Sequence, residues 1–102
     1  MLDVIERYRP EISELCRKHQ VKRLELFGSA ARGDFDPSGS DLDFLVEFLS
    51  YDSASIADQW FGLQEDLQKL LGYHIDLTSL RTPKNPYFLR MVQQDKVALY
   101  AA

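Results

Sequence analysis

Two short runs with the alternating pattern of β-strands flank a polar segment, and this arrangement constrains the fold of the chain. The first run spans Val21–Phe27 and the second spans Leu42–Phe48. In the first run, alternation predicts Leu24 and Leu26 on one face and Val21 on the other. Two aspartates, Asp41 and Asp43, lie where the polar segment meets the second run. Because successive strand side chains point to opposite faces, both carboxylates are predicted on one face, with the apolar side chains on the other. The apolar face would pack against helices, and the acidic face would border a cleft.

A Gly-Ser pair directly follows the first strand. Gly28 lets the backbone approach a ligand closely, and the unpaired N–H groups of a helix start suit a phosphate. The Ser29 hydroxyl can add a hydrogen bond to a phosphate oxygen, although serine is also an ordinary helix cap. Arg32 follows one turn later. Its guanidinium can bind the same phosphates bidentately, or it can form a surface salt bridge with Asp34 or Asp36.

A third acid, Asp76, interrupts a later apolar run that is predicted to be a short strand at residues 74–77. Burying an unpaired carboxylate there would be costly, so this side chain is expected at a cleft or in a salt bridge. Together with Asp41 and Asp43 it would form an oxygen-rich site of the kind that Mg²⁺ prefers. The alternative for Asp41 and Asp43 is a solvated strand edge, since Asp-x-Asp is a common triplet.

The remaining patterns predict helices and loops around these strands. A helix over residues 2–19 should kink or restart near Arg9 and Pro10, and a short helix should end at Gly33 before a loop at 34–39. A long helix over 53–71 should begin at Asp52, Ser53 or Ser55 and stop at Gly72. A loop at 82–86, a helix at 87–94 and an edge strand at 97–102 complete the chain. These elements predict an α/β (α+β) fold with a small mixed sheet of three to four strands packed with helices.

Composition limits the functional class. A length of 102 residues predicts one domain over residues 1–102, and a formal net charge of -4 argues against a broad nucleic-acid-binding surface. The single cysteine, Cys16, cannot form an internal disulfide and is predicted to be buried in a helix. The sequence has neither a signal peptide nor 18 consecutive apolar residues, so we expect a cytoplasmic protein that does not interact with membranes.

The pattern Gly-Ser-x-Ala-Arg-Gly-x6-Ser-Asp-x-Asp over residues 28–43 resembles the minimal nucleotidyltransferase domain of the DNA polymerase β-like nucleotidyltransferase superfamily. In particular, the chain is similar to the MntA-type antitoxins of type VII-like HEPN/MNT toxin–antitoxin pairs. The resemblance covers nearly the whole chain, including the leading helix, the helix after the Asp pair and Asp76. It implies a polymerase β-like nucleotidyltransferase core.

The resemblance also implies a site and a reaction. Four residues would bind the nucleotide: Gly28, Ser29, Arg32 and Ser40. Three carboxylates would be catalytic and would hold two Mg²⁺ ions: Asp41, Asp43 and Asp76. The protein would be an adenylyltransferase that uses ATP, transfers AMP to a tyrosine of a HEPN ribonuclease toxin in a hetero-oligomer, and thereby silences the toxin.

Two other functions are compatible with the sequence. A catalytically silent antitoxin would neutralise the toxin by covering it, and a small-molecule nucleotidyltransferase of the antibiotic-modifying kind would need an additional acceptor-binding surface. His19 is predicted to be a helix-end residue and His74 a strand-start residue, because neither belongs to a metal-ligand spacing. Trp60 is predicted to be part of the core.

Overall fold

The computed structural model describes residues 3–39, 41–51, 55–79, 81 and 84–102. Within these residues the elements follow one another as α1 (Asp3–Arg7), α2 (Arg9–Lys18), β1 (Val21–Phe27), α3 (Ser29–Arg32), β2 (Leu42–Phe48), α4 (Ile56–Leu71), β3 (Ile75–Ser79), α5 (Pro86–Asp95) and β4 (Val97–Ala101). The predicted break near Pro10 is confirmed, because Tyr8 separates α1 from α2 and Pro10 lies in the first turn of α2. A proline is tolerated there because first-turn N–H groups have no intrahelical partner.

The four strands form one mixed sheet in the order β3-β2-β1-β4. Strand β1 pairs antiparallel with β2 and β4, whereas β2 and β3 are parallel. This arrangement confirms the predicted fold class, a small mixed sheet packed with helices. The register places Phe27 opposite Asp43 and Asp43 opposite Asp76. The end of β1 and the beginnings of β2 and β3 therefore meet at one edge of the sheet.

The core lies on one face of this sheet. Alternate side chains of β1 and β2 are fully buried there, including Leu24, Leu26, Phe44 and Phe48. Val21, predicted to be on the face opposite Leu24, is instead buried in the same core. The pairing between β1 and β2 is irregular between Val21 and Arg23, and such a bulge interrupts the two-residue alternation on which the prediction depended.

Helix α4 is the long helix that the sequence predicts, and Leu63, Leu67 and Leu71 form its buried stripe. It ends at Gly72, which is left-handed with φ 78°. Its first residue is Ile56, three residues after the predicted start, and the side chain of Ser55 makes no capping hydrogen bond to the helix. Some predicted positions lie outside the described residues. They are Leu2 of the first predicted helix, Asp52 and Ser53 as possible starts of the long helix, and residues 82–83 of the predicted loop.

Helix α5 packs against the end of β1. Asn85 caps it by accepting a hydrogen bond of 2.8 Å from the backbone N–H of Phe88. The ring of Phe88 meets that of Phe27 edge to face, with centroids 5.7 Å apart. Directly after the helix, Nζ of Lys96 lies 3.5 Å from Oε2 of buried Glu25 on β1. These contacts position α5 beside the sheet edge where the two strand aspartates meet.

Three residues whose chemistry could suggest a site have structural roles. His19 ends α2, and its Nε2 lies 2.7 Å from Oδ2 of Asp66 on α4. Trp60 packs against the core beside Phe48. Cys16 is buried in α2, and this burial raises the pKa of its thiol to about 12. Within the described residues, no helix is long and apolar enough to cross a membrane.

Candidate functional site

The Gly-Ser turn and the Asp pair are brought into direct contact. Gly28 has φ 76°, a backbone conformation that favours glycine. A Cβ atom at this position would lie 2.5 Å from Oδ2 of Asp43, so any larger residue would require that carboxylate to shift. Ser29 starts α3, and left-handed Gly33 ends it, as the sequence predicts. The phosphate-suited turn therefore abuts a carboxylate of the neighbouring strand.

Three carboxylates concentrate negative charge at this edge. Asp43 and Asp76 are register partners on parallel strands, so their side chains share a face of the sheet. Burial raises the pKa of Asp43 to about 6, with further contributions from the negative charges of Asp76 and Asp41, while Arg32 opposes the shift. Asp43 is half-buried, whereas Asp41 and Asp76 are exposed. The β3 carboxylate thus lies in solvent at the site and not inside the apolar strand.

His74 is an additional side chain at this site. It lies directly before β3, as predicted for a strand-start residue, and its Nδ1 is 3.2 Å from Oδ1 of Asp41. Both side chains are largely exposed. A local signal places His74 near the site, because it lies two residues before Asp76 and residues at that spacing share a strand face.

The donor set fits a hard divalent cation. Magnesium binds oxygen ligands, and it usually uses one or two carboxylates together with waters and substrate phosphate oxygens. Burial and the neighbouring negative charges together raise the pKa of Asp43, and a bound cation would offset both of these costs of the ionised form. Among the described residues, no group of three or more His, Cys, Asp or Glu side chains is arranged to hold a metal ion. The carboxylates are therefore neighbours that would need phosphate oxygens and water to complete a coordination sphere.

A cleft of about 280 Å³ opens beside this site. Its polar wall contains Gly28, Ser29 and Arg32 together with Asp43. Part of α5 and Phe27, at the end of β1, form the rest of the lining. Four residues of α5 line it: Phe88, Met91, Val92 and Asp95. One cavity therefore combines a phosphate-suited turn, a carboxylate and an apolar wall.

Arg32 crosses the cleft to α5. Its Nη1 donates a hydrogen bond of 3.0 Å to Oδ2 of Asp95, and its Nε lies 3.5 Å from Oδ1 of Asp34. The bond to Asp95 raises the pKa of the guanidinium. Of the two salt-bridge partners suggested by the sequence, Asp34 is confirmed. Asp95 was not anticipated, because 63 residues separate it from Arg32 and no local pattern links the two.

The structure thus brings six of the seven predicted site residues to one region. Gly28, Ser29, Arg32 and Asp43 line the cleft, while Asp41 and Asp76 act electrostatically on Asp43. Ser40 lies outside the described residues. The α5 side chains of the cleft were missed, because their apolar periodicity predicts only helix packing.

Comparison with known proteins identifies the family. A family model for the nucleotidyltransferase domain matches residues 11–99. Two candidate protein adenylyltransferases of Methanocaldococcus jannaschii, MJ1379 and MJ0128, are 36% and 35% identical to this chain over 95 residues, which cover 85% of this chain and 93% of each relative.

Solved structures share the fold. A candidate minimal nucleotidyltransferase is 29% identical, with a TM-score of 0.74 over 93% of this chain and 92% of that chain. A toxin–antitoxin structure with AMP-PNP is 22% identical, with a TM-score of 0.69 over 92% of this chain and 73% of that chain. A complex of a tri-AMPylated Shewanella oneidensis HEPN toxin with its MNT antitoxin is 19% identical, with a TM-score of 0.64 over 95% of this chain and 72% of that chain. By its family-model match and its adenylyltransferase relatives, this chain belongs to the nucleotidyltransferase-domain family.

Proposed function

We propose that this protein is a Mg²⁺-dependent protein adenylyltransferase that transfers AMP from ATP to a tyrosine of a HEPN ribonuclease toxin and so acts as an antitoxin. The observation that carries the proposal is the contact between Gly28 and Asp43. A turn suited to phosphates lies against a carboxylate suited to a metal ion, and this combination supports phosphoryl-group chemistry. The adenylyltransferase relatives support AMP as the transferred group.

The residues of the site divide this work. Gly28 and Ser29 would hold the triphosphate with backbone N–H groups and a hydroxyl. Arg32 would move from its partners to the phosphates, since exposed ion pairs contribute only about 0–1 kcal/mol and a phosphate offers bidentate bonds. Ser40 belongs to the same motif and is assigned to the nucleotide as well.

The carboxylates Asp41, Asp43 and Asp76 would hold two Mg²⁺ ions. When bound, these ions supply positive charge that stabilises the attacking and leaving oxygens of the displacement. Asp76 is assigned to accept the proton of the attacking hydroxyl, because its exposed side chain can pass that proton to water. The raised pKa of Asp43 implies that this carboxylate is fully ionised only at neutral pH and above.

The reaction is a single displacement at the α-phosphorus. The acceptor oxygen forms a bond to that phosphorus while the bond from the α-phosphorus to the bridging oxygen breaks. Pyrophosphate leaves with the electron pair of the broken bond, and the acceptor becomes a phosphodiester of AMP. Positioning and charge neutralisation supply most of the acceleration in this class of reaction.

The toxin is the proposed acceptor because the fold is shared with antitoxins in toxin–antitoxin structures. One of those structures contains an AMPylated HEPN toxin beside its MNT antitoxin. The rival within this proposal is an antitoxin that neutralises the toxin by covering it, without any transfer. The two mechanisms differ in whether the carboxylates are needed.

Intact-protein mass spectrometry tests the proposal. The protein is incubated with Mg²⁺, each nucleoside triphosphate in turn and its HEPN partner, and the partner is weighed. We expect AMP increments on the partner with ATP, lost when the acceptor tyrosine is changed to phenylalanine. Asp43→Asn and Asp76→Asn should each reduce transfer at least about a hundredfold, the scale of losing one preorganised electrostatic group.

Asp58→Asn is the matched control, because Asp58 is an exposed aspartate in the first turn of α4, outside the cleft. It should leave transfer unchanged. Undiminished transfer by Asp43→Asn would refute the metal assignment. Neutralisation of the toxin by a variant that lacks transfer would replace the enzymatic proposal with the covering mechanism.

A further inference from the structure

Three of the four α5 side chains that line the cleft are apolar, and the phosphate-suited turn lines the same cleft. Phe88 is held edge to face against Phe27, with ring centroids 5.7 Å apart, and both rings line the cleft. Met91 lies one helical turn after Phe88 and also lines the cleft, and it remains 43% exposed. A large apolar side chain that stays exposed in a cleft gains stability when a ligand covers it. This apolar wall therefore has the character of a binding surface.

The position of this wall determines what would cover it. Gly28 and Asp43, assigned to the triphosphate and its metal, line the same cleft. A nucleotide has a charged end and an aromatic end, and these match the two walls. The volume of about 280 Å³ is close to the lower limit of small-ligand pockets, about 300 Å³. Such a cavity suits a nucleoside better than a folded acceptor segment.

We infer that Phe27, Phe88 and Met91 form the platform on which the base of the nucleotide stacks. This inference rests on the proposed function and identifies the part of α5 that binds the substrate. Stacking of a base on aromatic side chains contributes about 1–3 kcal/mol. The flexible, polarisable thioether of methionine adapts to an aromatic face.

The platform recognises the face of the base and not its hydrogen-bonding edge. Among the described residues of the cleft, the polar side chains are Ser29, Arg32, Asp43 and Asp95, and the last three surround the charged end of the ligand or pair with each other. A purine covers more of the apolar wall than a pyrimidine. We therefore expect ATP to bind more tightly than UTP.

Calorimetric titration of the whole protein tests the platform without requiring catalysis. The probes are the non-transferable analogue α,β-methylene-ATP and inorganic triphosphate, each with Mg²⁺. Phe88→Ala should weaken binding of the analogue about tenfold, which is within the range expected for one stacked base, and Met91→Ala about threefold. Both variants should bind inorganic triphosphate like the wild type.

Leu89→Ala is the matched control, because Leu89 is 41% exposed on the same helix and does not line the cleft. It should bind both probes like the wild type. Met91→Ala keeps the test valid if loss of the Phe88 contact with Phe27 prevents folding, since Met91 is exposed and its truncation leaves that contact intact.

Three results would overturn the platform. The first is that Met91→Ala and Leu89→Ala bind the analogue equally well. The second is that Met91→Ala loses as much affinity for inorganic triphosphate as for the analogue. The third is that Met91→Ala weakens the interaction with the protein acceptor and not with the nucleotide. The proposed function is tested separately, by transfer of AMP to an acceptor. Analogue binding that depends on Met91, without transfer to any acceptor, would refute the proposed activity and support the platform. Normal transfer of AMP, together with analogue binding that does not depend on Met91, would support the proposed activity and refute the platform.

Discussion

Replacing Asp43 by asparagine is expected to stabilise the fold while it removes a carboxylate of the site. Burial and the neighbouring negative charges of Asp76 and Asp41 raise the pKa of Asp43 to about 6 from its ordinary value of 3.8. The folded protein therefore holds this proton more tightly than the unfolded chain does. Between about pH 4 and pH 6 the contribution of Asp43 to the stability of the wild type falls as the pH rises, and at pH 7 its full penalty is present.

The size of this penalty follows from the pKa. A difference of about 2 pH units corresponds to about 3 kcal/mol at 1.36 kcal/mol per unit. Asp43 is only half-buried, so solvent screening reduces the expected contribution to about 1 kcal/mol. For a domain of about 100 residues, this is a rise of about 4–8 °C in Tm. Asn removes the charge and keeps the shape, so it should recover this amount at pH 7.

Urea unfolding in EDTA measures the effect. Fluorescence of Trp60, the single tryptophan, reports the loss of packing against the core. The free energy of unfolding of Asp43→Asn should exceed that of the wild type by about 1 kcal/mol at pH 7, and this difference should become smaller toward pH 4. Asp58→Asn, an exposed control in the first turn of α4, should not stabilise the protein at either pH, because a carboxylate there interacts favourably with the helix dipole. The reasoning would be refuted if Asp43→Asn were less stable than the wild type at pH 7, or if the difference in free energy of unfolding did not depend on pH.

Two further substitutions test the geometry of the cleft. Gly28→Ala should lower the free energy of unfolding in urea by about 1–3 kcal/mol more than Gly33→Ala, because Gly28 (φ 76°, ψ -155°) lies in a backbone region open essentially only to glycine, whereas Gly33 (φ 95°, ψ 7°) is left-handed. The Cβ added at Gly28 would also displace the Asp43 carboxylate, and equal losses for the two variants would contradict this reasoning. Asp95→Asn should tighten ATP binding in calorimetry by up to about fivefold by releasing Arg32, the scale of one surface ion pair. Asp34→Asn should do less, since its contact is longer and Asp34 is more exposed, at 65% against 18%; the opposite order would exclude this role for Asp95.

Much of the fold could be predicted because its signals are local. The bounds of β1 and β2 follow from alternation, and the end of α4 follows from Gly72. Where a local rule was interrupted, the prediction was wrong, as with Val21 at the irregular pairing of β1. A bulge leaves no reliable trace in a single sequence, because it depends on how the partner strand is aligned.

The site could be predicted in part for the same reason. Gly28 and Asp43 lie close in the chain and belong to one motif, so their meeting could be anticipated. The partner of Arg32 could not, because Asp95 lies on a helix whose position depends on packing against Phe27 and on the Lys96–Glu25 pair. The apolar lining of the cleft could not be predicted either, because the spacing of Phe88 in the sequence is that of an ordinary core residue of a helix.

Local sequence patterns were enough to predict the approximate helices and strands of this protein, the Gly-Ser turn and the acidic side chains of the site. These depend on backbone preferences and on alternation over a few residues, which each segment carries within itself. The register that pairs Asp76 with Asp43, the contact of His74 with Asp41 and the place of α5 in the lining of the cleft come from the tertiary structure, although the sequence already grouped Asp76 with the other two aspartates. Those relations depend on strand register and helix packing between distant segments, which are set by the common core and not by any one stretch of the chain.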